Sequence, residues 1–498
     1  MRSVFLPILC ALFIGLFVSK MDPNAILVSD NQNKIFQAQA FLDSGFKSQY
    51  ASCEILRDLG ACTYFPSWQI QMKHGISGPF PVAFSLFAAV VGWLADYSYL
   101  FYIAIFFFIL GVSILKIRNR INSLGILVLV FGPVFFHSVL FPDYSISFLC
   151  TCIAVSAYRK PREDRLEQIF LGLLAGLGFF FRPENSILLF FLGIIHIVEW
   201  IKLGLPKKDS EEAKRFLLLV GSGVSILFYG ILNFYLYDSP WGSRIYVNAT
   251  VARDHGALKY VSLLFAGHGR VGFLFFCPWI ALGAVLLFLK WRSLEKTEKF
   301  LLSASILSLG AGVLMTPNDS NIDWGTRYLS WLCVPAVVLF FSGNSKRILE
   351  SFPKAVRWVG VLSFLVSLFF SKVYYVTEIA QSKEMIRYNQ FFRSLPEGVN
   401  VSTRNTITAL YGQDIFHKKV MIVREKGEYS KLVNLLLEKN ENVNLIRYNS
   451  AILSKLRSMP KAKESGQDAE LEKLFLSRGW KISQETSLEK IEVLHLTR

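Results

Sequence analysis

The chain has 498 residues, of which 53% are hydrophobic and 15% aromatic, and its mean hydropathy is +0.40. A soluble enzyme of this length is not so apolar, so lipid is expected to be the main solvent. The formal net charge of +16 does not point to nucleic acid. The Lys and Arg residues are dispersed between hydrophobic stretches, no aromatic-basic RNA-binding motif occurs, and basic loops gathered on one side of a membrane explain the excess.

Hydrophobic runs long enough, or nearly so, to cross a bilayer recur from Val4 to about Phe370. They predict an all-α polytopic membrane protein of about eleven spans: 4–18, 99–115, 121–140, 144–158, 169–181, 186–200, 216–235, 271–289, 300–315, 328–341 and 359–370. The first run lacks a small-x-small cleavage site before Lys20 and a lipobox glycine before Cys10, so it reads as a retained span rather than a signal peptide. With the amino terminus cytoplasmic, the Lys/Arg clusters of 116–120, 159–165, 202–215, 290–299 and 346–357 all fall inside. That register fails if 80–94 also spans. This stretch opens with Gly78-Pro79-Phe80-Pro81 and closes with Trp93, Asp96 and Tyr97, flanks that suit a helix lying in the interface.

The expected organisation is a transmembrane module over 1–371, with a long first extracytoplasmic loop at 20–97, followed by an extracytoplasmic domain at 372–498. That tail turns polar, and short apolar stretches such as Lys419-Val-Met-Ile-Val and Val443-Asn-Leu-Ile alternate with the helix-like segment from Tyr429 to Glu438. It reads as a small soluble α/β domain.

Chemistry is therefore sought in the outer loops. Asp30 precedes a segment with apolar residues at helical spacing that ends at Gly45, which places its carboxylate at a helix start near the first span. It reads either as a helix cap or as a base toward an acceptor hydroxyl, its affinity for protons raised by partial desolvation. Asp143 is the only acidic residue of the short second outer loop. It too reads as a cap or as the partner of Asp30, orienting substrate while the other takes a proton. The span 169–181 is short, which sets Arg182-Pro-Glu184 at or below the outer membrane level. An ionisable residue there must pair or line a polar cavity, and Arg182 and Glu184 are able to satisfy each other. Arg244, His268, Arg270 and Arg327 add cationic groups on the same side. Arginine suits a lipid-linked phosphate because its planar fork makes several hydrogen bonds at once.

Five of the seven cysteines fall in or beside spans and read as packing residues. Cys53 and Cys62 lie in the first outer loop, where a disulfide is allowed. There is no zinc spacing, Walker A loop or dinucleotide fingerprint, which argues against ATP-driven transport and nucleotide-cofactor chemistry.

Several stretches together resemble the polytopic, lipid-carrier-dependent glycosyltransferases of the GT-C fold, akin to protein O-mannosyltransferases and bacterial aminoarabinose transferases. They are Asp30 with Ala38-Gln-Ala-Phe-Leu-Asp-Ser-Gly45, His74-Gly-Ile-Ser-Gly-Pro79-Phe-Pro81, Gly176-Leu-Gly-Phe-Phe-Phe-Arg182-Pro-Glu184, the pair Asp238-Ser-Pro240-Trp-Gly242 and Gly267-His-Gly269-Arg270, and Asp323-Trp-Gly-Thr-Arg327-Tyr-Leu with Pro335. The resemblance covers roughly 1–370. It implies a seven-span catalytic module with further spans behind it, a polyprenyl-phosphate sugar as donor, Asp30 as base or acceptor-orienting residue, and Asp143 as a second active-site acid. Two features depart from those relatives: Asn31 rather than Glu follows Asp30, and no Lys-Pro-Pro occurs, so that Lys73 and His74 are loose stand-ins.

The expected reaction is an inverting transfer of a hexosyl or pentosyl unit to an acceptor hydroxyl on glycan, lipid or protein at the outer face of a bacterial inner membrane. No cofactor is required, although a carboxylate pair would accept a divalent cation. Two alternatives use the same lipid-linked saccharides. A transporter or flippase predicts polar residues within several spans and an internal repeat; a polymerase or ligase predicts a very large outer loop late in the chain.

Overall fold

A computed structural model gives the architecture. The residues it describes are 2–27, 30–50, 56, 58–64, 70–72, 75–78, 80–204, 206, 210–240, 242, 256–267, 270–316, 325–448 and 465–498. They form two compact units: one of 1–21, 80–84 and 99–379, the other of 22–79, 85–98 and 380–498. Most of the expected first outer loop, 22–79 and 85–98, groups with the carboxy-terminal segment, while 80–84 groups with the helices.

The first unit is helical. Among the described residues, five helices are long and apolar enough to cross a membrane: Tyr99–Asn119, Pro183–Leu203, Glu211–Tyr237, Lys296–Met315 and Lys354–Arg393. Two bent pairs raise the number to seven, Ser123–Val130 with Pro133–Leu140 at 53° and Arg327–Phe341 with Gly343–Glu350 at 69°. The first bend falls at Gly132-Pro133, where proline has no N–H to continue the helical ladder. The second falls at Ser342, whose backbone is extended. Leu6–Lys20, Val82–Leu94 and Pro278–Leu289 are shorter apolar helices.

Two expected spans, 144–158 and 169–181, are helices less apolar or shorter than those five: Pro142–Arg159 and Arg165–Phe181. The first carries Ser145, Ser147, Thr151 and Ser156 and is buried along almost its whole length. Its polar side chains hydrogen-bond within the protein, so few of them are left to face the surroundings of the bundle. Ser145 donates to the Pro142 carbonyl at 2.7 Å, Ser147 to the Gly178 carbonyl at 3.0 Å, and Asn119 to the Ser156 hydroxyl at 2.6 Å. Tyr99–Asn119 packs along it, with Phe108 stacked on Phe148 at 5.2 Å.

The second unit holds a five-stranded sheet. In chain order the strands among the described residues are β1 (Ile70–Met72), β2 (Gly75–Ser77), β3 (Ala266–Gly267), β4 (Arg270–Val271), β5 (Val399–Ser402), β6 (Val420–Ile422), β7 (Val443–Tyr448), β8 (Lys481–Leu488) and β9 (Ile491–Thr497). The sheet runs β6-β5-β7-β9-β8; β5 is parallel to β6 and β7, and β9 is antiparallel to β7 and β8. The expected helix forms over Tyr429–Glu438 and buries Leu432, Val433 and Leu436 against the sheet. Residues of the expected first outer loop complete this core: Phe36, Leu56, Leu59 and Tyr64 pack with Val399, Val401 and Tyr411. Gln32 ties the same loop down by donating to the carbonyls of Thr408 (2.7 Å) and Gly412 (3.1 Å). Cys62 is disulfide-bonded, Cys53 lies outside the described residues, and the other five cysteines are buried free thiols.

Candidate functional site

Four ionisable residues singled out from the sequence meet in the first unit. The expected second outer loop shrinks to one extended residue, Phe141, between the helices Pro133–Leu140 and Pro142–Arg159. Asp143 therefore sits in the first turn of the second helix, where the helix dipole favours a carboxylate. Arg182 ends the Arg165–Phe181 helix, and its Nε lies 2.7 Å from Asp143 Oδ2, angled off a linear hydrogen bond. Glu184 Oε1 is 3.9 Å from Arg182 Nη1. The nearer partner of Arg182 is thus Asp143, thirty-nine positions away, rather than the adjacent Glu184.

Arg327 joins them through the Phe141 ring. Its guanidinium carbon is 4.6 Å from the ring centre, and that of Arg182 is 6.0 Å away. Two cations on one aromatic ring are tolerated because two carboxylates accompany them and the ring adds its own attraction. Asp143, Arg182 and Arg327 are 2%, 3% and 5% exposed, so these charges are removed from solvent. Glu184 is the least enclosed of the four, with a side chain 17% exposed.

The backbone that carries these groups is fixed by local chemistry. Asn185 donates to Ser147 Oγ and, at 3.1 Å, to Thr151 Oγ1, fastening the Arg182-Pro-Glu184 turn to the helix of Asp143. Arg327 follows a turn at Gly325 and Thr326, both with positive φ (75° and 52°). A Cβ at Gly325 would lie 2.6 Å from Pro133 Cβ, so only glycine permits this approach. The Gly325 N–H donates to the Val271 carbonyl and the Thr326 hydroxyl to the Leu263 carbonyl, each at 2.8 Å. These bonds hold a non-glycine residue in a costly conformation next to Arg327.

Sequence reasoning missed the groups beneath this cluster. Ser330 Oγ lies 2.7 Å from both His137 Nδ1 and the Tyr144 hydroxyl, and it also donates to the Arg327 carbonyl at 3.2 Å. All three side chains are buried. A histidine in the middle of an apolar run was the one available signal; Ser330 and Tyr144 look like ordinary residues of a membrane helix.

Arg270 lies on β4 beside the Val271 carbonyl that receives Gly325, and its buried Nη1 has no hydrogen-bond partner among the described residues. Lys73, His74, Arg244 and His268 fall outside the described residues. Asp30 belongs to the other unit, as the half-buried first residue of the helix Asp30–Asp43. One turn further, Lys34 is 1% exposed and donates to Asn31 Oδ1 at 3.3 Å, a buried cation the sequence gave no reason to expect. No three His, Cys, Asp or Glu side chains converge on a cation among the described residues.

At the far end of the Pro142–Arg159 helix, about 24 Å from Asp143 along the axis, basic groups gather instead. Arg159 lies 3.8 Å from Glu298 and donates to the Val338 carbonyl, Arg215 donates to the Tyr158 carbonyl at 3.0 Å, and Lys296 pairs with Glu199 at 2.8 Å. No family model matches this sequence, and no curated protein is similar to it.

Proposed function

We propose that the protein is a polytopic glycosyltransferase that moves a sugar from a polyprenyl-phosphate carrier to an acceptor hydroxyl on the extracytoplasmic side of a cell membrane. The observation that carries this reading is the buried charged cluster of Asp143, Arg182, Glu184 and Arg327 about Phe141, built at one end of apolar helices. Ionisable residues at such depth are costly and mark a substrate path more often than a structural need. The polar residues follow the same division: carboxylates and arginines stand at this end of the Pro142–Arg159 helix, and the lysine- and arginine-rich loops at the other. On this reading the shorter and bent apolar helices complete about eleven spans, with the basic loops cytoplasmic.

In the reaction, an acceptor O–H attacks the anomeric carbon as the bond from that carbon to the phosphate oxygen breaks. A base takes the acceptor proton, a role for which the sequence resemblance offers Asp30, and the leaving polyprenyl phosphate carries away the electron pair and its negative charge. Asp143 acts by holding Arg182 in orientation through their 2.7 Å contact. Arg327 and Arg270 face the phosphate, where charge develops as the bond breaks. Fixing both reactants at the membrane surface supplies the remaining advantage.

The test is transfer from a panel of synthetic polyprenyl-phosphate sugars by protein reconstituted in liposomes. The parent should transfer at least one of them. Asp30→Asn and Arg327→Gln, shown to be folded, should each lower the rate by at least about 100-fold, the scale of one lost acid–base or charge-stabilising group. Transfer untouched by both substitutions would refute the assignment of the site.

A further inference from the structure

A second polar centre lies within the other unit, at the carboxyl edge of its parallel strands. The chain leaves β5 for β6 on one side and returns through the Tyr429–Glu438 helix to β7 on the other side of β5. In open α/β sheets this reversal of direction opens a crevice outside the carboxyl ends of the strands, and ligands bind there. The residues at this edge are chemically suited to one. Thr403 and Arg404 follow β5, and Tyr448 ends β7. Asp468, from the first turn of the Ser465–Ser477 helix, reaches both: the Thr403 hydroxyl donates to its Oδ1, and Arg404 Nε lies 3.5 Å from its Oδ2. The Arg404 guanidinium stands 5.3 Å from the centre of the half-buried Tyr448 ring.

An independent observation points the same way. The Tyr429 hydroxyl, at the start of the helix that follows β6, is buried and has no hydrogen-bond partner among the described residues. Burial first, and then the neighbouring charges of Asp468 and Glu470, push its pKa above the ordinary range. A buried hydroxyl left without a partner is costly, and a ligand that bonds to it would recover that loss. Thr403 and Arg404 take up only part of the accepting capacity of the Asp468 carboxylate, whose two oxygens can receive a further donor.

The local charges argue against an anion as that ligand. Arg404 is matched by Asp468, Arg447 by Glu472 (2.5 Å) and Glu492 (3.0 Å), and Lys426 by Glu470 (2.6 Å). A neutral ligand that both donates and accepts fits better. We propose that this edge binds a saccharide, whose ring hydroxyls meet Asp468, Arg404 and the Tyr429 hydroxyl while a C–H face lies against Tyr448. The proposal is independent of the reading of the first unit, because binding here needs no lipid carrier.

The experiment is ligand-observed NMR titration of the full-length protein in nanodiscs with four probes: methyl α-mannopyranoside, methyl β-glucopyranoside, methyl β-galactopyranoside and N-acetylglucosamine. Inorganic phosphate serves as the anionic comparison. At least one sugar should bind in preference to phosphate. Tyr429→Phe should weaken that binding by about 3- to 10-fold, the worth of one satisfied hydrogen bond between neutral groups, while leaving the thermal midpoint unchanged or raised. Asp468→Asn should weaken it as well. Binding of phosphate alone, no binding by any sugar, or sugar binding that survives both substitutions would each overturn the proposal.

Discussion

Replacing Asp143 with Asn tests whether the cluster is held together by charge. In the parent the Arg182 guanidinium is 3% exposed, with Asp143 at 2.7 Å and Glu184 at 3.9 Å. Asn keeps the shape of Asp143 but removes its charge, and leaves a buried cation with only the more distant carboxylate. Losing one partner of a buried pair costs about 3–5 kcal/mol. Because Glu184 remains, the lower figure applies, about 3 kcal/mol or roughly 150-fold in the unfolding equilibrium. The assay is reversible unfolding by SDS in mixed micelles, followed by circular dichroism. The double variant Asp143→Leu/Arg182→Met removes both charges and fills the same volume, so it should recover most of the loss. A double variant whose loss equals the sum of the two single losses would show that the residues do not interact, and would refute the argument.

Gly176→Leu should destabilise the first unit by about 1–3 kcal/mol in the same assay, as overpacking does. Even a Cβ there would lie 2.6 Å from the Ser222 carbonyl oxygen, whereas Gly193→Leu, at an open position, should have little effect. In the second unit, Asn444 donates its amide to the Pro396 carbonyl and to Asn400 Oδ1, so its own Oδ1 accepts from His495 Nδ1 at 2.8 Å. His495 Nε2 then accepts from the Thr486 hydroxyl at 3.1 Å, and the ring is held neutral. Burial lowers its pKa below the ordinary 6.5. The unfolded chain therefore binds a proton that the folded chain refuses, and stability falls as pH drops below about 6.5 until the folded pKa is passed. His495→Gln should flatten that limb in thermal melts followed across the acid range; an unchanged slope would exclude His495 as its source.

The candidate cluster was legible where membrane physics leaves few options. Arg182, Glu184 and Asp143 stood out because ionisable groups beside short apolar spans require partners or water. Which partner each took was hidden. The Arg182–Asp143 pair depends on how two helices pack, and Ser330 becomes a junction for His137 and Tyr144 only after the Gly325 turn meets Pro133. The strands of the tail were visible as the apolar stretches about Val420 and Val443, and the helix Tyr429–Glu438 by its spacing. That Phe36 and Leu59 would share their core was not, since a contact across more than 300 positions leaves no local pattern. Hydropathy also could not show which spans sit among other helices: Pro142–Arg159 is buried there, and its serines and threonine hydrogen-bond within the protein.

The most direct test of the central claim follows the phosphorus atom of the carrier. Protein reconstituted in liposomes with a polyprenyl-phosphate sugar and an acceptor extract is observed by ³¹P NMR. The account predicts that the phosphodiester signal of the carrier converts to the phosphomonoester of polyprenyl phosphate, in the parent but not in Arg327→Gln. A phosphodiester that crosses the bilayer intact, with no monoester formed, would contradict it and identify a transporter of the lipid-linked sugar instead.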